Sequence, residues 1–501
     1  MGNCIQFIGN QGSEQVLAFY LGMAEELERR VCDSKLAPVY TVWFCADRDW
    51  LVGRGVDAAR VACFEDFVAA RGLVDIEFEV DYLNRFYPEV KWCTVIASER
   101  SFTDYSMLLG GAGHRVEEPD YIIRLLSNLV HFFEEAYVKH PPLAVVTQTA
   151  DTLISFIAIK VAQHNGLPVR SIVPAWFHLP GAEGGFFAYD EFMHCRAMQS
   201  RYAELCKGGV LSPEQLSRIN SLQDSILNFD GSTAFFKSNN RAIPRNLSPN
   251  LKRLISYVKQ NLSLKKDFAY TRFSVWRKIW ANLIRQWRNY QARNLFGLTQ
   301  LSLIPKKSVF FAMHMQPEQS TLTQGVWHLN QIALIENISK ALPIGFTLVV
   351  KEHPINRGFR PAWQYAHINQ LHNVMLFDCD SKEIAHSVQA IITICGSIGM
   401  ESLLLKKPVV MLGKTFYDFF EHLHKPSCFD ELSDMLHSIL VNQSYPKGKD
   451  LELTLECFLV AYLESLLPYY PLKQSANIWG RYLLDELRES GILASSEGLS
   501  S

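Results

Sequence analysis

Two short runs in the second half of the chain hold residue types that can bind an anionic ligand. In the first, Phe346-Thr-Leu-Val-Val-Lys-Glu-His-Pro354, an apolar strand ends in polar residues and a proline that blocks further strand pairing. His353 is thereby placed at the carboxyl edge of a predicted sheet, where its imidazole can donate a hydrogen bond to a phosphate oxygen. Lys351 and Arg357 add positive charge. Taken alone, the run fits a surface turn with a solvated histidine about equally well.

The second run, Ala390-Ile-Ile-Thr-Ile-Cys-Gly-Ser-Ile-Gly-Met-Glu401, leads from a predicted strand into a helix. Gly396 and Gly399 allow a ligand to approach the backbone closely, and the unpaired amides of a first helical turn favour an anion. Ser397 can bond a phosphate oxygen, and Glu401, one turn further on, can accept hydrogen bonds from a ribose. The structural alternative is that Ser397 only caps the helix and Glu401 only interacts with the helix dipole.

The order and spacing of these runs resemble the capsule polysaccharide biosynthesis family. The first run is followed, roughly forty residues later, by the second run and then by Lys407-Pro-Val-Val. Two further segments are similar to the family, Met313-His-Met-Gln-Pro-Glu318 before these runs and Val410-Met-Leu-Gly-Lys-Thr-Phe-Tyr417 after them. The resemblance is specific over residues 308–420 and only architectural over the first 180 residues.

The resemblance implies a GT-B glycosyltransferase, with a CMP-linked sugar as the favoured donor. It places the phosphate of the donor at His353, Pro354 and Ser397. Better known CMP-sugar transferases carry paired serines at this helix start, whereas this chain has Cys395-Gly396-Ser397, which leaves the nucleotide base open. No Asp-x-Asp pair is expected in the donor loop, so a bound divalent metal is not required, and no cofactor is expected.

The remaining candidate residues follow other predicted strands. His314, Gln316 and Glu318 lie after the first strand of the second half and could line a cleft, or could be plain loop structure. Asp151 and Asp104 are candidates by position for a catalytic carboxylate in the first domain. Helix capping is the alternative role for Asp151.

Two sets of alternating strands and helices are needed to position these residues, which predicts two doubly wound sheets. The predicted strands are Cys4–Ile8, Val39–Cys45, Cys93–Ala97, Leu143–Thr147, Val169–Val173, Ser308–Met313, Thr347–Lys351, Val374–Phe377, Ala390–Ile394 and Pro408–Leu412. The predicted helices include Val16–Arg30, Tyr121–Val138, Thr152–His164, Val326–Leu342, Ser381–Ser387 and Ile398–Leu405. The fold class is therefore α/β, with two Rossmann-like domains of GT-B type, a helical insertion between them and C-terminal helices.

The predicted domains are an N-terminal acceptor domain (1–190), a helical, basic linker (191–304), a nucleotide-sugar-binding domain (305–425) and C-terminal helices (426–501). The linker holds the one strong charge asymmetry, because residues 252–293 contain eleven Lys or Arg and a single acid, Asp267. The first interpretation is that its aromatic residues pack on the domains while Lys and Arg are solvated. The second is a peripheral membrane contact near a lipid-linked glycan acceptor. The third is a platform where an anionic glycan stacks on Trp276 or Trp287.

Composition limits the other possibilities. A chain of 501 residues is too long to fold around one ordinary hydrophobic core. A net charge of −2 gives no support for nucleic acid binding. The 11 cysteines show no metal-ligand spacing, which indicates reduced thiols in a cytoplasmic protein rather than a zinc site. Neither a signal peptide nor a membrane span is expected. Two alternatives stay open: a non-catalytic capsule assembly or export factor, and a GT-B relative such as a UDP-sugar 2-epimerase or a glycerol-phosphate transferase.

Overall fold

Two largely parallel sheets organise the part of the chain that the structure describes. This structure is a computed structural model, and it describes residues 4–9, 14–31, 36–72, 74–99, 119–179, 184–208, 210–228, 275–295, 298–316, 323–446, 448–468 and 475–493. The strands are β1 Cys4–Ile8, β2 Ala37–Val42, β3 Val61–Cys63, β4 Pro142–Gln148, β5 Val169–Pro174, β6 Gly184–Ala188, β7 Ser308–Ala312, β8 Thr347–Lys351, β9 Val374–Phe377, β10 Ala390–Thr393, β11 Val409–Met411, β12 Leu423–His424 and β13 Leu467–Pro468.

Helices connect and cover these strands. They are α1 Glu14–Arg30, α2 Cys45–Val52, α3 Phe64–Arg71, α4 Ile76–Phe86, α5 Trp92–Ser98, α6 Pro119–Lys139, α7 Leu153–His164, α8 Arg196–Cys206, α9 Pro213–Asn228, α10 Val275–Ala292, α11 Gln331–Ala341, α12 Ala362–Gln370, α13 Ser381–Ser387, α14 Ser397–Leu404, α15 Phe429–Leu440, α16 Lys449–Glu464 and α17 Ala476–Glu489. No helix among the described residues is both long and apolar enough to cross a membrane.

The chain divides into two units. Unit 1 comprises Met1–Lys91, Glu118–Gly208 and Val460–Ser501, and unit 2 comprises Trp92–Glu117 and Gly209–Leu459. The segment predicted as a separate linker is thus shared, because α8 falls in unit 1 while α9 and α10 fall in unit 2. The C-terminal residues from Val460 onward belong to unit 1.

Unit 1 contains a seven-stranded sheet in the order β13-β6-β5-β4-β1-β2-β3. Strands β1 to β5 pair in parallel, and β6 and β13 extend one edge with antiparallel pairs. The C-terminal helix α17 packs on α1, where Trp479 meets Phe19 edge-on at 5.9 Å between ring centroids. Both rings are fully buried, so α17 helps to close the core of unit 1.

Unit 2 contains a six-stranded, fully parallel sheet in the order β12-β11-β10-β7-β8-β9. Its central strands are continuous apolar runs because helices cover both faces. In β8, for example, Leu348, Val349 and Val350 are all fully buried. The predicted fold class of two Rossmann-like domains is confirmed.

Two predicted elements are wrong. Cys93–Ala97, predicted as a strand, lies inside helix α5. A short apolar run does not distinguish the helical period from the strand period, and five residues are too few to establish either. The predicted helix Val326–Leu342 is a 3₁₀ turn at Val326–His328 followed by α11. Asn330 separates them, because its side chain caps α11 by accepting from the Ala333 amide at 3.2 Å.

Candidate functional site

Three neighbouring strands of unit 2 bring the predicted site residues to one edge of its sheet. Strands β10, β7 and β8 are adjacent and parallel, so their carboxyl ends meet at the same edge. His314 follows β7, His353 follows β8, and Gly396 follows β10. Open α/β sheets bind ligands at such carboxyl ends, which makes this edge the candidate site.

The Lys-Glu-His-Pro turn holds His353 in a defined protonation state. Pro354 begins a 3₁₀ turn, Pro354–Asn356, and His353 caps it, with Nδ1 accepting from the Ile355 amide at 3.3 Å. Burial, and after it the charge of Lys351, lower the pKa of His353 to about 4. The ring is therefore neutral near pH 7, and its proton lies on Nε2, the nitrogen that can donate to a ligand.

A buried ion pair supports this turn from below. The Arg360 Nε donates to Oε2 of Glu352 at 2.8 Å, and both side chains are nearly inaccessible. Glu352 also accepts from the Tyr365 hydroxyl at 2.9 Å and from the backbone amide of His353 at 2.8 Å. Arg360 donates as well to Oε1 of Gln316 at 2.7 Å, which ties the segment after β7 to the turn. Gln316 is thus a buried structural contact.

His314 is buried against the glycine turn after β10. Its Nε2 lies 3.3 Å from the Thr393 hydroxyl and accepts from the backbone amide of Cys395, also at 3.3 Å. Its own backbone amide donates to Oε1 of Gln331 at 2.7 Å. Burial, followed by the nearby His353, lowers the pKa of His314 to about 3, so the ring stays neutral. These contacts make His314 a positioning residue for the turn.

Close approaches explain the two glycines of the Gly-Ser-x-Gly-x-Glu run. A Cβ atom on Gly396 would lie 2.9 Å from Nε2 of His314, and one on Gly399 would lie 2.4 Å from the hydroxyl oxygen of Tyr417. That hydroxyl donates to the carbonyl oxygen of Gly396 at 2.6 Å. A side chain at either position would therefore push a buried ring away from the turn.

Ser397 and Glu401 interact with each other one helical turn apart. The Ser397 hydroxyl donates to Oε1 of Glu401 at 3.0 Å, and the residue that caps α14 is Gly396. The alternative in which Ser397 only caps the helix is therefore wrong. Burial raises the pKa of Glu401, and the hydrogen bond from Ser397 offsets part of that rise. Lys351 donates to the Ser381 hydroxyl at 2.9 Å, and burial lowers its pKa.

An Asp-x-Asp pair lies at the same edge of the sheet, so the expectation that no such pair stands near the donor loop is wrong. Asp378 and Asp380 directly follow β9, the strand next to β8. Asp378 forms an ion pair with Arg357. Asp380 caps α13 by accepting from the Lys382 amide at 2.8 Å. Both carboxylates have partners within the protein, which gives each of them a structural role.

The predicted catalytic carboxylate lies in unit 1. Asp151 is in the turn between β4 and α7. The capping role considered for it is wrong, because Thr152 caps α7 by accepting from the Ser155 amide at 3.3 Å. Glu318 and Asp104 lie outside the described residues.

Helix α10, the described part of the basic stretch, packs through arginines. Arg285 donates to the carbonyl oxygens of Arg357 at 3.0 Å and Ile355 at 2.6 Å. Arg288 donates to the carbonyl oxygen of Phe359 at 2.5 Å. Residues that follow the Lys-Glu-His-Pro turn are therefore held by cations from α10.

The opposite face of α10 is aromatic and exposed. Trp280 and Trp287 are 61% and 59% accessible, and Leu283 and Tyr290 are similarly exposed. The first interpretation of this stretch, with aromatic residues packed and cations solvated, is therefore wrong for α10. Here Arg285 and Arg288 contact backbone carbonyls, and the aromatic rings are exposed. The reason is that the backbone carbonyls beside this helix can accept hydrogen bonds from guanidinium groups, whereas indole carbon atoms form no such hydrogen bonds. The side chain of Trp276 and residues 252–274 lie outside the described part.

A cavity of about 450 Å³ opens between α10 and the ends of β8 and β9. Its lining residues are all polar or aromatic: Gln286, Asn289, Tyr290, Arg293, Arg357 and Asp378. The Arg293 guanidinium lies over the Tyr290 ring, 4.1 Å from its centroid. Amides, guanidinium groups and an exposed ring are the groups that bind hydroxyl-rich, anionic small molecules.

Sequence reasoning missed the residues that hold the site in place. They are Gln331, Glu352, Arg360, Thr393, Tyr417 and Asn356, whose Nδ2 donates to the carbonyl oxygen of His314 at 3.2 Å. Thr393 could have been found as a polar residue within an apolar strand, and Glu352 as part of the motif itself. For Gln331 and Arg360 the local sequence carries no signal, because their partners are distant along the chain.

Comparisons with known proteins give one sequence match and several remote structural ones. No curated protein matches this chain in sequence. Staphylococcus aureus MnaA, solved with UDP, is 12% identical with a TM-score of 0.28, and the alignment covers 98% of each chain. The Thermosulfurimonas dismutans KpsC structure described as beta Kdo 2,7 transferase is 10% identical with a TM-score of 0.33, covering 71% of this chain and 89% of that one.

The family match falls on the candidate site. Residues 307–421, which run from the start of β7 past Tyr417, match the sequence model described as capsule polysaccharide biosynthesis protein. The matched segment contains His314, His353, Ser397 and Glu401. Residues 307–421 of this chain are therefore similar to the capsule polysaccharide biosynthesis family, the family that its motifs predicted.

Proposed function

We propose that this protein is a glycosyltransferase that moves a sugar from a nucleotide donor to a surface polysaccharide or glycolipid acceptor. The observation that supports the proposal is that His353, Ser397 and the first amides of α14 follow strands whose carboxyl ends lie at one edge of the sheet. A CMP-linked donor is favoured by the family resemblance. The 450 Å³ cavity beside Arg357 is wide enough for a sugar residue.

Each site residue has a proposed role. The α14 amides and Ser397 bind phosphate, and Glu401 binds the ribose. His353 donates from Nε2 to the leaving phosphate, where negative charge grows during transfer. Pro354 shapes the turn, and Lys351 gives it positive charge. Asp151 of unit 1 serves as the carboxylate that acts on the acceptor, as a base or as a nucleophile.

Nucleotide binding to unit 2 tests this assignment. We expect one of CMP, UDP, GDP and CDP to raise the melting temperature of the full chain, because a ligand selective for the folded state stabilises it. Ser397→Ala should weaken binding of that nucleotide by about 1 to 2 kcal/mol, the scale of one hydrogen bond to a charged group. Gly399→Val should abolish it, since the new side chain displaces Tyr417.

The control is Ser387→Ala, which removes an exposed serine of the same unit. It should leave the nucleotide-induced shift in melting temperature unchanged. Equal protection in the wild type, Ser397→Ala and Gly399→Val would show that the nucleotide binds elsewhere.

The proposed donor site works without a divalent metal, because Lys351 supplies positive charge while His353 and the helix amides donate hydrogen bonds to the phosphate. We therefore expect EDTA to leave the nucleotide-induced shift in melting temperature unchanged. If EDTA removes the shift and Mg²⁺ or Mn²⁺ restores it, Asp378 or Asp380 binds a metal after all, and this part of the proposal is wrong.

The alternatives differ in their products. A UDP-sugar 2-epimerase interconverts its substrate without an acceptor, and a glycerol-phosphate transferase moves a different group. A non-catalytic assembly factor would bind glycan but neither transfer nor hydrolyse any nucleotide sugar. Product analysis with and without acceptor separates these activities.

The exposed face of α10 supports a proposed peripheral contact with the inner face of the membrane. Trp280, Leu283, Trp287 and Tyr290 form an apolar and aromatic stripe, and such rings favour the membrane interface. Residues 252–293, which include this stripe, carry eleven Lys or Arg and one acid, and anionic lipids attract such a basic segment. The contact would bring the enzyme to a lipid-linked acceptor.

Liposome sedimentation measures this contact. We expect the full chain to bind vesicles that contain anionic lipid at low salt. Binding should fall at high salt, because the attraction is screened over about 8 Å at physiological ionic strength. Trp280→Ser combined with Trp287→Ser should weaken binding, while Trp363→Ser, an exposed tryptophan on α12, should not. If vesicle binding does not depend on salt, or if the protein does not bind vesicles, the proposed membrane contact is wrong and the stripe has a role in packing within the protein.

A further inference from the structure

Two cysteines and an aspartate converge at the carboxyl ends of β2 and β3 in unit 1. Cys45 begins α2 shortly after β2, Cys63 is the last residue of β3, and Asp66 lies in the first turn of α3. Among the described residues they form the one group of three or more His, Cys, Asp or Glu side chains with ligand atoms within 4.8 Å of one another. The spacing along the chain is far from any zinc motif, so the sequence did not predict this group.

The distances match those of a tetrahedral metal site. The two sulfur atoms lie 3.8 Å apart, and the Cys45 sulfur lies 3.2 Å from Oδ1 of Asp66. Zinc–sulfur bonds of about 2.3 Å in tetrahedral geometry place two sulfur ligands roughly 3.8 Å apart. One cation could therefore contact both sulfur atoms with little movement of the chain.

The surrounding structure holds the two strand ends in register. The rings of Trp43 and Phe64 stack with centroids 4.2 Å apart, and the Glu65 amide donates to the Trp43 carbonyl at 3.2 Å. The Cys45 amide donates to Oε2 of Glu65 at 3.1 Å. Such contacts position side chains before a ligand arrives, which lowers the cost of binding.

Charge and exposure also suit a cation. Arg48 pairs with Oδ2 of Asp66, which leaves Oδ1 turned toward the sulfur atoms and offsets part of the negative charge of the ligand set. Both Cys45 and Asp66 lie in the first turns of helices, where the helix dipole stabilises negative groups. Cys63 is buried while Asp66 is half exposed, so a fourth coordination position would face solvent.

We propose that Cys45, Cys63 and Asp66 bind a divalent transition metal of the zinc class, with solvent as the fourth ligand. The two thiols each lose a proton to solvent when the cation binds, and the carboxylate contributes Oδ1. Thiolate ligands select zinc over magnesium or calcium, which prefer oxygen. The site joins the starts of α2 and α3, independently of the proposed nucleotide site in unit 2.

Cobalt substitution tests the site in the full-length protein. The reduced protein titrated with Co²⁺ should develop a near-ultraviolet thiolate-to-cobalt band together with intense visible bands of tetrahedral geometry. Zn²⁺ should bleach both. Cys45→Ser and Cys63→Ser should each lose the thiolate band or cut its intensity by about half, and Asp66→Asn should weaken binding. Cys206→Ser, an exposed cysteine of the same unit, should behave as the wild type.

A second measurement guards against variants that fail to fold. Zn²⁺ should raise the melting temperature of the wild type and of Cys206→Ser, but not of Asp66→Ala, whose exposed position leaves folding intact. Absence of a thiolate band in the wild type would overturn the proposal, as would its persistence at full intensity in both Cys45→Ser and Cys63→Ser. Peptide mapping that finds Cys45 and Cys63 joined as a disulfide in the freshly purified protein would overturn it too.

Discussion

Replacing His353 with alanine is expected to lower kcat by about 10² to 10³, the range seen when one preorganised charge-stabilising donor is removed. The neutral ring keeps its proton on Nε2 because Nδ1 already accepts from the Ile355 amide. A donor fixed in this way binds the transition state better than the intact nucleotide sugar, since negative charge grows on the leaving phosphate. KM should therefore change much less than kcat.

The pH profile gives an independent check on His353. Burial lowers its pKa to about 4, so its protonation does not change between pH 6 and pH 8. The wild type and a His353 variant should then have kcat profiles of the same shape over this range. A step near pH 6.5 that vanishes in the variant would show that the ring titrates and acts as an acid or base.

Two companion variants separate catalysis from folding. His353→Asn retains an acceptor that can cap the 3₁₀ turn but does not place a donor where Nε2 lies. It should lose kcat about as severely as His353→Ala, with a melting temperature near that of the wild type. His372→Ala, an exposed histidine of the same unit, should be fully active. Wild-type kcat in His353→Ala would defeat the proposed role, and unfolding of both His353 variants would show that the role is structural.

Among the proposed substitutions, removing the guanidinium of Arg360 is expected to cause the largest loss in the free energy of unfolding. Arg360→Met leaves Glu352 buried without its cation, and breaking such a buried pair typically costs about 3 to 5 kcal/mol. The free energy of unfolding can be measured by urea denaturation followed by tryptophan fluorescence. Lys340→Met, at an exposed ion pair of the same unit, should cause no measurable change.

A second substitution identifies the cause. Glu352→Gln in the Arg360→Met background removes the uncompensated charge while keeping an oxygen that can accept from Tyr365 and from the His353 amide. The double variant should therefore be more stable than Arg360→Met alone. Equal stability of the two would mean that packing, rather than the buried charge, accounts for the loss.

Much of unit 2 could be predicted because its signals are local. Strand β8, strand β9 and helix α13 have the predicted boundaries. Each is a short apolar or amphipathic run bounded by polar residues, proline or a cap, and such patterns depend on neighbouring residues only. The helix assigned as a strand at Cys93–Ala97 shows the limit, since five residues do not establish a period.

The sequence by itself determined the two α/β halves, the edge of the sheet at which His353 and Ser397 lie, and the family similarity of residues 307–421. Only the tertiary structure decided that Arg360 neutralises Glu352, that Tyr417 requires Gly399, and that α10 turns its arginines inward. The tertiary structure also places the sulfur atoms of Cys45 and Cys63 3.8 Å apart. The physical reason is that these pairs join residues far apart in the chain, and their contacts depend on how strands and helices pack rather than on any local pattern.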